Sequence, residues 1–484
     1  MSTHLLPAPS ERVLSTLNAD GSRRWLRPRV SDGRFLRARR ITAWLLIAVF
    51  TLLPFVNVGD KPAILLDIAQ RQFTFFGRTF LPTDTVILAV LLVGIVVSVF
   101  LVTAILGRVW CGWACPQTVY LEFVYRPIER LFEGPPGRGG TIGRKATALR
   151  TVAKYAVYAL VSMALAHTFL SYFVGVANLR HWMTRSPLDH PTSFAVMAIT
   201  AGLMFADFAW FREQTCIVAC PYGRLQSVLL DGNSLIVSYD ARRGEPRRHA
   251  QLPVQDGPGA PAAATPSGDC IDCRLCVETC PTGIDIRDGL RMECIGCAQC
   301  IDACDAVMAK LKRPAGLVRY SSQLRIAGEK GRLARPRLFI YSAVLLVIAG
   351  VFTALVSRAR PTDVTLLRGL GVPFTELASG EVANPLRLKI TNRTREPRSY
   401  RVELVGTGPA RVVADGLPVT VRPTASVTRS LMVTLPASVF VRGKHKIRLR
   451  VIDDRRASTE IEHEILGPYS AASPIAPQSS SHAD

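Results

Sequence analysis

Cys270-Ile271-Asp272-Cys273-Arg274-Leu275-Cys276-Val277-Glu278-Thr279-Cys280-Pro281 and Cys294-Ile295-Gly296-Cys297-Ala298-Gln299-Cys300-Ile301-Asp302-Ala303-Cys304 contain eight of the twelve cysteines of this 484-residue chain. Both runs have the C-x2-C-x2-C-x3-C spacing that wraps a [4Fe-4S] cube, in which the fourth cysteine of each run reaches across to the cluster of the other. The spacing therefore predicts two clusters, one on Cys270, Cys273, Cys276 and Cys304, the other on Cys294, Cys297, Cys300 and Cys280. Structural zinc asks for C-x2-C pairs and gives no reason for a third cysteine at the same step. Disulfides do not suit a segment that the topology below puts on the reducing side of a membrane. Pro281 ends the first run and Asp305 follows the second. Neither residue is a ligand, so the difference leaves the motif intact.

Composition says where these runs sit. With 49% hydrophobic residues and a mean hydropathy of +0.22, the chain reads as a membrane protein of two or three domains. Five apolar stretches are long enough to span a bilayer: Ile41 to Val58, Thr85 to Leu106, Tyr155 to Val176, Ser193 to Phe211 and Leu338 to Val356. Lysine and arginine mark the cytoplasmic loops. They crowd the arm of residues 1–40 (Arg12, Arg23, Arg24, Arg27, Arg29, Arg34, Arg37, Arg39 and Arg40) and the loop from Arg108 to Arg150, and they are sparse in 59–84 and 177–192. The expected topology has the N-terminus and the cysteine runs inside and everything after Val356 outside. The first forty residues lack the early apolar core of a cleavable signal.

The net charge of +22 is accounted for by these flanks and not by nucleic-acid binding; the basic arm is also suited to membrane lipid headgroups. Residues 240–269, rich in Gly, Pro and Ala, read as a flexible linker that would give the 270–320 ferredoxin-like domain some reach. Beyond Arg360, residues 361–470 alternate in short runs, Pro385 to Thr391, Tyr400 to Val405, Val419 to Arg422, Ser426 to Leu435, Lys444 to Ile452 and Ser458 to Ile465. This pattern predicts an all-β sandwich of immunoglobulin-like size, followed by a disordered tail, 471–484.

The other four cysteines form two C-x3-C-P pairs, Cys111/Cys115-Pro116 after the second apolar stretch and Cys216/Cys220-Pro221 after the fourth. Both stretches run inward, so the pairs meet the same membrane face. If each helix continues through its pair, the two thiols share one side. Four soft thiolates at matched positions point to metal or redox work, with Cu(I) prominent among the candidates. Spacing alone leaves open which metal, or a third cluster.

Taken together, Gly107-Arg108-Val109-Trp110-Cys111-Gly112-Trp113-Ala114-Cys115-Pro116, Cys216-Ile217-Val218-Ala219-Cys220-Pro221-Tyr222-Gly223-Arg224-Leu225-Gln226, the second ferredoxin run through Met308, and Arg313-Pro314-Ala315-Gly316-Leu317-Val318-Arg319-Tyr320 closely resemble the cytochrome c oxidase accessory proteins called CcoG, FixG or RdxA. The resemblance covers most of the chain, including the five-helix layout and the outer β-domain. It implies a bacterial inner-membrane cupric reductase that supplies Cu(I) for assembly of a cbb-type haem-copper oxidase. Its membrane-face cysteines carry over onto Cys111, Cys115, Cys216 and Cys220, and its cluster ligands onto the eight assigned above. Implied partners are a copper-exporting ATPase or copper chaperone, the cbb-type oxidase assembly machinery and a cytoplasmic electron donor. Two rival readings stay in view: a quinol dehydrogenase feeding a periplasmic reductase, and a non-catalytic iron-sulfur sensor or assembly scaffold. His167, the one histidine inside a span, has no second histidine for haem ligation across the bilayer and reads as a packing residue. Asp207 reads as an interfacial carboxylate near the second pair. His181, Met183 and His190 read as solvated loop residues.

Overall fold

The computed structural model describes residues 14–18, 22–58, 61–68, 72–80, 84–136, 147–247, 268–331, 335–358, 361–394, 396–406, 410–414, 416–423 and 425–469. The tail 471–484 and most of the expected linker lie outside the described residues. Two compact units emerge, Met1–Val56 with Asp84–Ala354, and Asn57–Thr83 with Leu355–Asp484.

In the first unit, five helices are long and apolar enough to cross a membrane: Arg34–Phe55, Thr85–Leu106, Ala148–Val174, Pro191–Phe211 and Pro336–Ser357. Large apolar side chains such as Leu45, Val49, Leu92, Ile95, Leu346 and Val347 face outward on them. That is the pattern of helices solvated by lipid rather than water. The first helix begins earlier than hydropathy suggests, because Asp302 caps it from the second cysteine run, accepting from Phe35 N (3.2 Å) and Leu36 N (2.7 Å). A carboxylate there satisfies two otherwise orphaned N–H groups and complements the helix dipole.

The ferredoxin module is closed by an antiparallel strand pair, Ile236–Tyr239 with Val318–Ser321, in register from Ile236↔Ser321 to Tyr239↔Val318. Val237, Ile284, Ile286, Ile301, Met308 and Leu317 fill its core. The module thus begins before the linker, not after it. Asp240 N donates to Leu317 O (2.9 Å), Arg243 Nε pairs with Asp269 (2.5 Å), and Gly268 N donates to Pro246 O (3.0 Å). The described flanks of the expected linker, 240–247 and 268–269, are thus hydrogen-bonded into the module. The N-terminal arm is not simply a lipid-facing strip either. Arg29 N donates to Glu278 O (2.9 Å) and Ser15 Oγ to Thr282 O (2.7 Å), so the arm lies along the first cysteine run.

In the second unit two antiparallel sheets form. One runs Arg411–Ala414, Ser426–Pro436, Glu381–Asn392, Thr362–Arg368, with Thr375–Glu376 also on Glu381–Asn392; the other runs Val419–Val421, Arg398–Val405, Lys444–Asp453, Ser458–Leu466. Along Lys444–Asp453 the residues Ile447, Leu449 and Val451 turn inward while Lys446 and Arg448 face out, the period-2 alternation of a sheet with one buried face. With Leu388, Ile390, Val433 and Phe440 they make one apolar core. The strands Thr362–Arg368 and Arg411–Ala414 were not anticipated; both are sheet edges, half exposed, where the apolar signal is weakest. A further three-stranded sheet, Ile64–Asp67, Gln72–Phe75 and Arg78–Phe80, occupies the loop between the first two spans.

Candidate metal centres

The two ferredoxin runs share a backbone course. Asp272 (φ +52°) and Arg274 (φ +58°) flank Cys273, and Gly296 (φ +68°) and Ala298 (φ +62°) flank Cys297. Arg274 and Ala298 each precede a helix, Leu275–Glu278 and Gln299–Lys310. Three non-glycine residues held at positive φ are a local strain that persists only where the surroundings over-determine it. Successive N–H groups in such turns form the anion-binding concavities found at iron-sulfur sites.

The thiols act on one another within and across the two runs: Cys276 and Cys304 feel Cys273, Cys304 also feels Cys270, and Cys294, Cys297 and Cys300 feel Cys280, while Cys300 also feels Cys276. Burial pushes Cys294 and Cys297 up to about 11 and Cys304 up to about 12, and raises Cys276 and Cys300 as well. Buried neutral thiols give up protons when a positively charged centre arrives, which couples binding to proton release. Two donors near the second tetrad, Arg39 Nη2 and Gln299 Nε2, are buried without a hydrogen-bond partner. Soft thiolates, concave N–H turns and unpaired donors fit an iron-sulfur cube. Among the described residues no three metal-binding side chains close on a point that one ion would fill; a four-iron cube spreads its thiolates more widely than a single ion does. Cys273 is exposed, whereas Cys280, Cys294 and Cys300 are only partly so and Cys297 is buried, so the most solvent-exposed thiol belongs to the first tetrad.

The C-x3-C-P pairs do not sit on continuing helices. The second span stops at Gly107 (φ +59°), Cys111 rides a single turn, Val109–Trp113, and Cys115 is extended before a new helix starts at Pro116. In the same way the fourth span stops at Arg212 (φ +55°), Cys216 lies in a π-turn, Thr215–Ala219, and Cys220 is extended before Pro221. Each proline occupies the first helical position, where its missing N–H is harmless. The four thiols lie within electrostatic reach of one another, since Cys216 feels Cys115, Cys111 and Cys220, but as they stand no three of them close on one point. Burial lifts Cys216 to about 12 and also raises Cys111, against the pull of Arg108. Cys111 Sγ donates to Gln226 Oε1 (3.0 Å), and Gln226 Nε2 donates to Tyr222 OH (2.8 Å) and Thr103 Oγ1 (3.2 Å).

Gly112, inside the first pair, meets the second ferredoxin run. A Cβ there would lie 2.6 Å from Ile295 O and 2.9 Å from both Cα and N of Cys297. Gly296 packs likewise on the Arg108 carbonyl, 3.3 Å from where its Cβ would be. Tyr320 OH donates to Gly296 O (2.5 Å) and accepts from Trp113 Nε1 (3.1 Å), pinning the contact from the side. Under the pairs lies a buried ion network. Arg212 donates twice to Glu129 (2.9 and 2.8 Å), Arg126 to Glu213 (3.2 Å) and Pro281 O (3.1 Å), and Lys154 to Glu133 (2.6 Å).

Residues 211–323 match the family model "4Fe-4S dicluster domain", 88–135 match "4Fe-4S binding domain", and 351–468 match the "IG-like fold at C-terminal of FixG". "Nitrogen fixation protein FixG" of Rhizobium meliloti is 31% identical over 88% of this chain and 89% of its own length. "Protein RdxA" of Cereibacter sphaeroides is 32% identical over 80% and 84%, and "Protein RdxB" of the same organism 30% over 91% and 95%. This chain belongs to the FixG/RdxA family. Like its FixG/RdxA relatives it is an iron-sulfur electron-transfer protein with two 4Fe-4S domains, apolar spanning helices and a C-terminal immunoglobulin-like domain.

The remaining expected residues take minor places. His167 Nδ1 is bonded to Met163 O (2.8 Å) within its own helix. Asp207 accepts from Thr215 Oγ1, one residue from Cys216. His181 and Met183 are exposed, and His190 packs its ring on Trp182 (5.5 Å). Sequence reasoning gave no role of their own to Arg39, Gly112, Arg126, Glu129, Arg212 or Gln226; of these, Gly112 and Gln226 sat in quoted motifs.

Proposed function

We propose that this protein reduces Cu(II) to Cu(I) at Cys111, Cys115, Cys216 and Cys220, taking electrons through its ferredoxin module, in support of cbb-type oxidase assembly. The observation that carries the reading is the seating of Gly112 on Cys297, which puts a ligand of one ferredoxin tetrad directly against the pair Cys111/Cys115. Cys270, Cys273, Cys276 and Cys304 hold one cluster, and Cys280, Cys294, Cys297 and Cys300 the other. Bound there, the clusters supply one-electron carriage at a potential set by charge, hydrogen bonds and exposure.

The chain's own residues do the rest. Exposed Cys273 opens the first tetrad to a cytoplasmic donor. Buried Ile295, Gly296 and Cys297 exclude water from the contact with Gly112. The four membrane-face thiols give up protons as Cu(II) binds, and one electron converts the ion to Cu(I), which soft thiolates favour. A copper-exporting ATPase or copper chaperone then accepts the ion. The cytoplasmic side is supported by the arginine distribution; the grouping of 57–83 with the C-terminal domain in one unit agrees with five spans, which put those two segments on one side whichever side that is.

The test replaces Cys115 and Cys220 with Ala together and assays copper reduction with the clusters chemically reduced. Loss of reduction with iron content intact supports the reading, and undiminished reduction sinks it. The match of 88–135 to a 4Fe-4S model, whose only cysteines are Cys111 and Cys115, favours one second reading, a third iron-sulfur centre on the same four thiols. Iron analysis separates them: the double variant keeps all its iron in the first case and loses a third in the second.

A further inference from the structure

We propose that Arg39 and Arg108 are positioning residues for electron flow, two buried guanidinium groups that raise the reduction potential of the second tetrad above that of the first and so direct electrons toward the membrane-face cysteines. The inference rests on the iron-sulfur reading above and concerns which way the electrons run.

The two tetrads lie in opposite charge environments. Arg39 is 1% exposed; its Nε donates to Gly112 O (2.9 Å), its guanidinium lies 5.4 Å from the Phe123 ring, and its Nη2 is unpaired. Arg108 is 7% exposed and donates from Nη1 to Met292 O, while also reaching Cys111. Among the described residues neither has a carboxylate partner. Arg39 acts on Cys297 and Arg108 on Cys294, where Glu293 opposes it. Beyond Arg39 a cavity of about 330 Å³ adds Arg29, Arg40 and Arg130 on this side, and its one carboxylate, Glu122, is paired with Arg126. At the first tetrad the guanidinium beside Cys276 is Arg287, and it is bound by Asp285 (2.7 Å) and Asp272. Asp285 acts on Cys276 and Asp305 on Cys304. Arg34 approaches Asp305 at 4.0 Å but is 75% exposed and screened. Among the charges that act on these thiols or pair with their guanidinium groups, one guanidinium thus stands against three carboxylates at the first tetrad and two against one at the second; Asp302, in the second run, is taken up by the N–H groups of Phe35 and Leu36.

An added electron brings negative charge to a site that four thiolates already make negative. Burial alone would disfavour that charge at the second tetrad, and exposure of Cys273 would ease it at the first. The uncompensated cations reverse the order, because charges in a buried site are screened far less than at the surface. The unpaired donors Arg39 Nη2 and Gln299 Nε2 act in the same direction, since hydrogen bonds to sulfur also raise the potential.

The experiment is a potentiometric EPR titration of the anaerobically purified full chain, with Cys273→Ser marking the first-tetrad signal. In the unaltered protein the second tetrad is expected to reduce first. Arg39→Gln and Arg108→Gln should each lower its midpoint and leave the first in place, shifting electron partition by at least tenfold, about 59 mV for a one-electron couple. Arg39→Lys, which keeps the charge, should retain most of the difference. Unmoved midpoints with full iron content, equal movement of both signals, or a first tetrad that already reduces first would each overturn the inference. If Arg39→Gln loses iron, Arg108→Gln and Arg39→Lys decide by the same criteria. Absence of any cluster signal in the unaltered protein would instead sink the iron-sulfur reading itself.

Discussion

The two C-x3-C-P hairpins follow the same path by different means. Each leaves its span through a residue at positive φ, Gly107 (φ +59°, ψ −129°) or Arg212 (φ +55°, ψ −120°), with the first cysteine four residues on and the second four beyond that. Glycine adopts this conformation freely, and nothing larger has room: a Cβ on Gly107 would come within 2.2 Å of Leu235 O. Arginine adopts it under strain, of about 1–3 kcal/mol, and is held there by its two bonds to Glu129. The first hairpin is therefore the contact copy, close-packed on the ferredoxin module through Gly107 and Gly112. The second is the anchoring copy, tied into the buried charges Arg126, Glu129, Arg212 and Glu213. A repeated motif has been divided between touching the ferredoxin module and tying the second hairpin into the buried charges.

The division is broken most completely by Gly112→Val. Two branched methyls would meet the Ile295 carbonyl and the Cys297 backbone, and neither neighbour is a flexible side chain that could move away. Copper reduction is expected to be abolished, while iron content and the first tetrad's midpoint stay near their original values, because no ligand side chain is replaced and the clash falls on the second run alone. Reduction by prereduced clusters, followed in stopped flow, checks this; a rate within twofold of the unaltered protein would show that the contact carries no electrons.

Glu129→Gln tests the anchoring copy. It removes the partner of a buried guanidinium at a strained backbone position, and breaking a buried pair from one side destabilises by about 3–5 kcal/mol. Thermal unfolding in detergent should show an earlier first transition. Adding Arg212→Gly removes the orphaned cation and the strain together and should recover part of that loss, making the second hairpin leave its span as the first does. No recovery in the double variant would mean that Arg212 holds the turn through contacts other than Glu129.

This comparison also shows what the sequence could and could not reveal. The spans, the cluster spacing and the alternating sandwich strands are local patterns, each complete within a short window, and reading them required no knowledge of neighbours. Arg39, Arg108 and Arg126 were counted as cytoplasmic flank charge, which is where such residues usually lie. Their burial arises from partners 73 to 184 residues away, at Gly112, Met292 and Pro281, and hydropathy has no access to pairing at that range. The strand Ile236–Tyr239 was missed for the same reason, since its partner lies on the far side of the whole cysteine region. The hairpin turns were misjudged because a run of helix-forming residues conceals a break imposed by tertiary contact. Gly107 was the one local hint, and Arg212 offered none.

The smallest expected effect comes from Gln226, which has no counterpart in the first hairpin: the position six residues after Cys115 is Leu121, while six after Cys220 is Gln226. Gln226 accepts from the Cys111 thiol and donates to Tyr222 and Thr103, so it joins the second hairpin to both the first pair and the second span. Gln226→Leu would match the two hairpins at this position and take one donor from the Thr103 and Tyr222 hydroxyls, which keep each other, at the low end of about 1–3 kcal/mol. The Cys111 thiol would also lose its acceptor, so that only Arg108 is left to orient it. Stability should fall modestly, copper reduction should be slowed rather than abolished, and both cluster midpoints should be unchanged, since Gln226 touches neither ferredoxin tetrad. A midpoint shift in this variant would mean that the thiol site and the second tetrad share one electrostatic unit, and the separation between contact and anchoring copies would have to be given up.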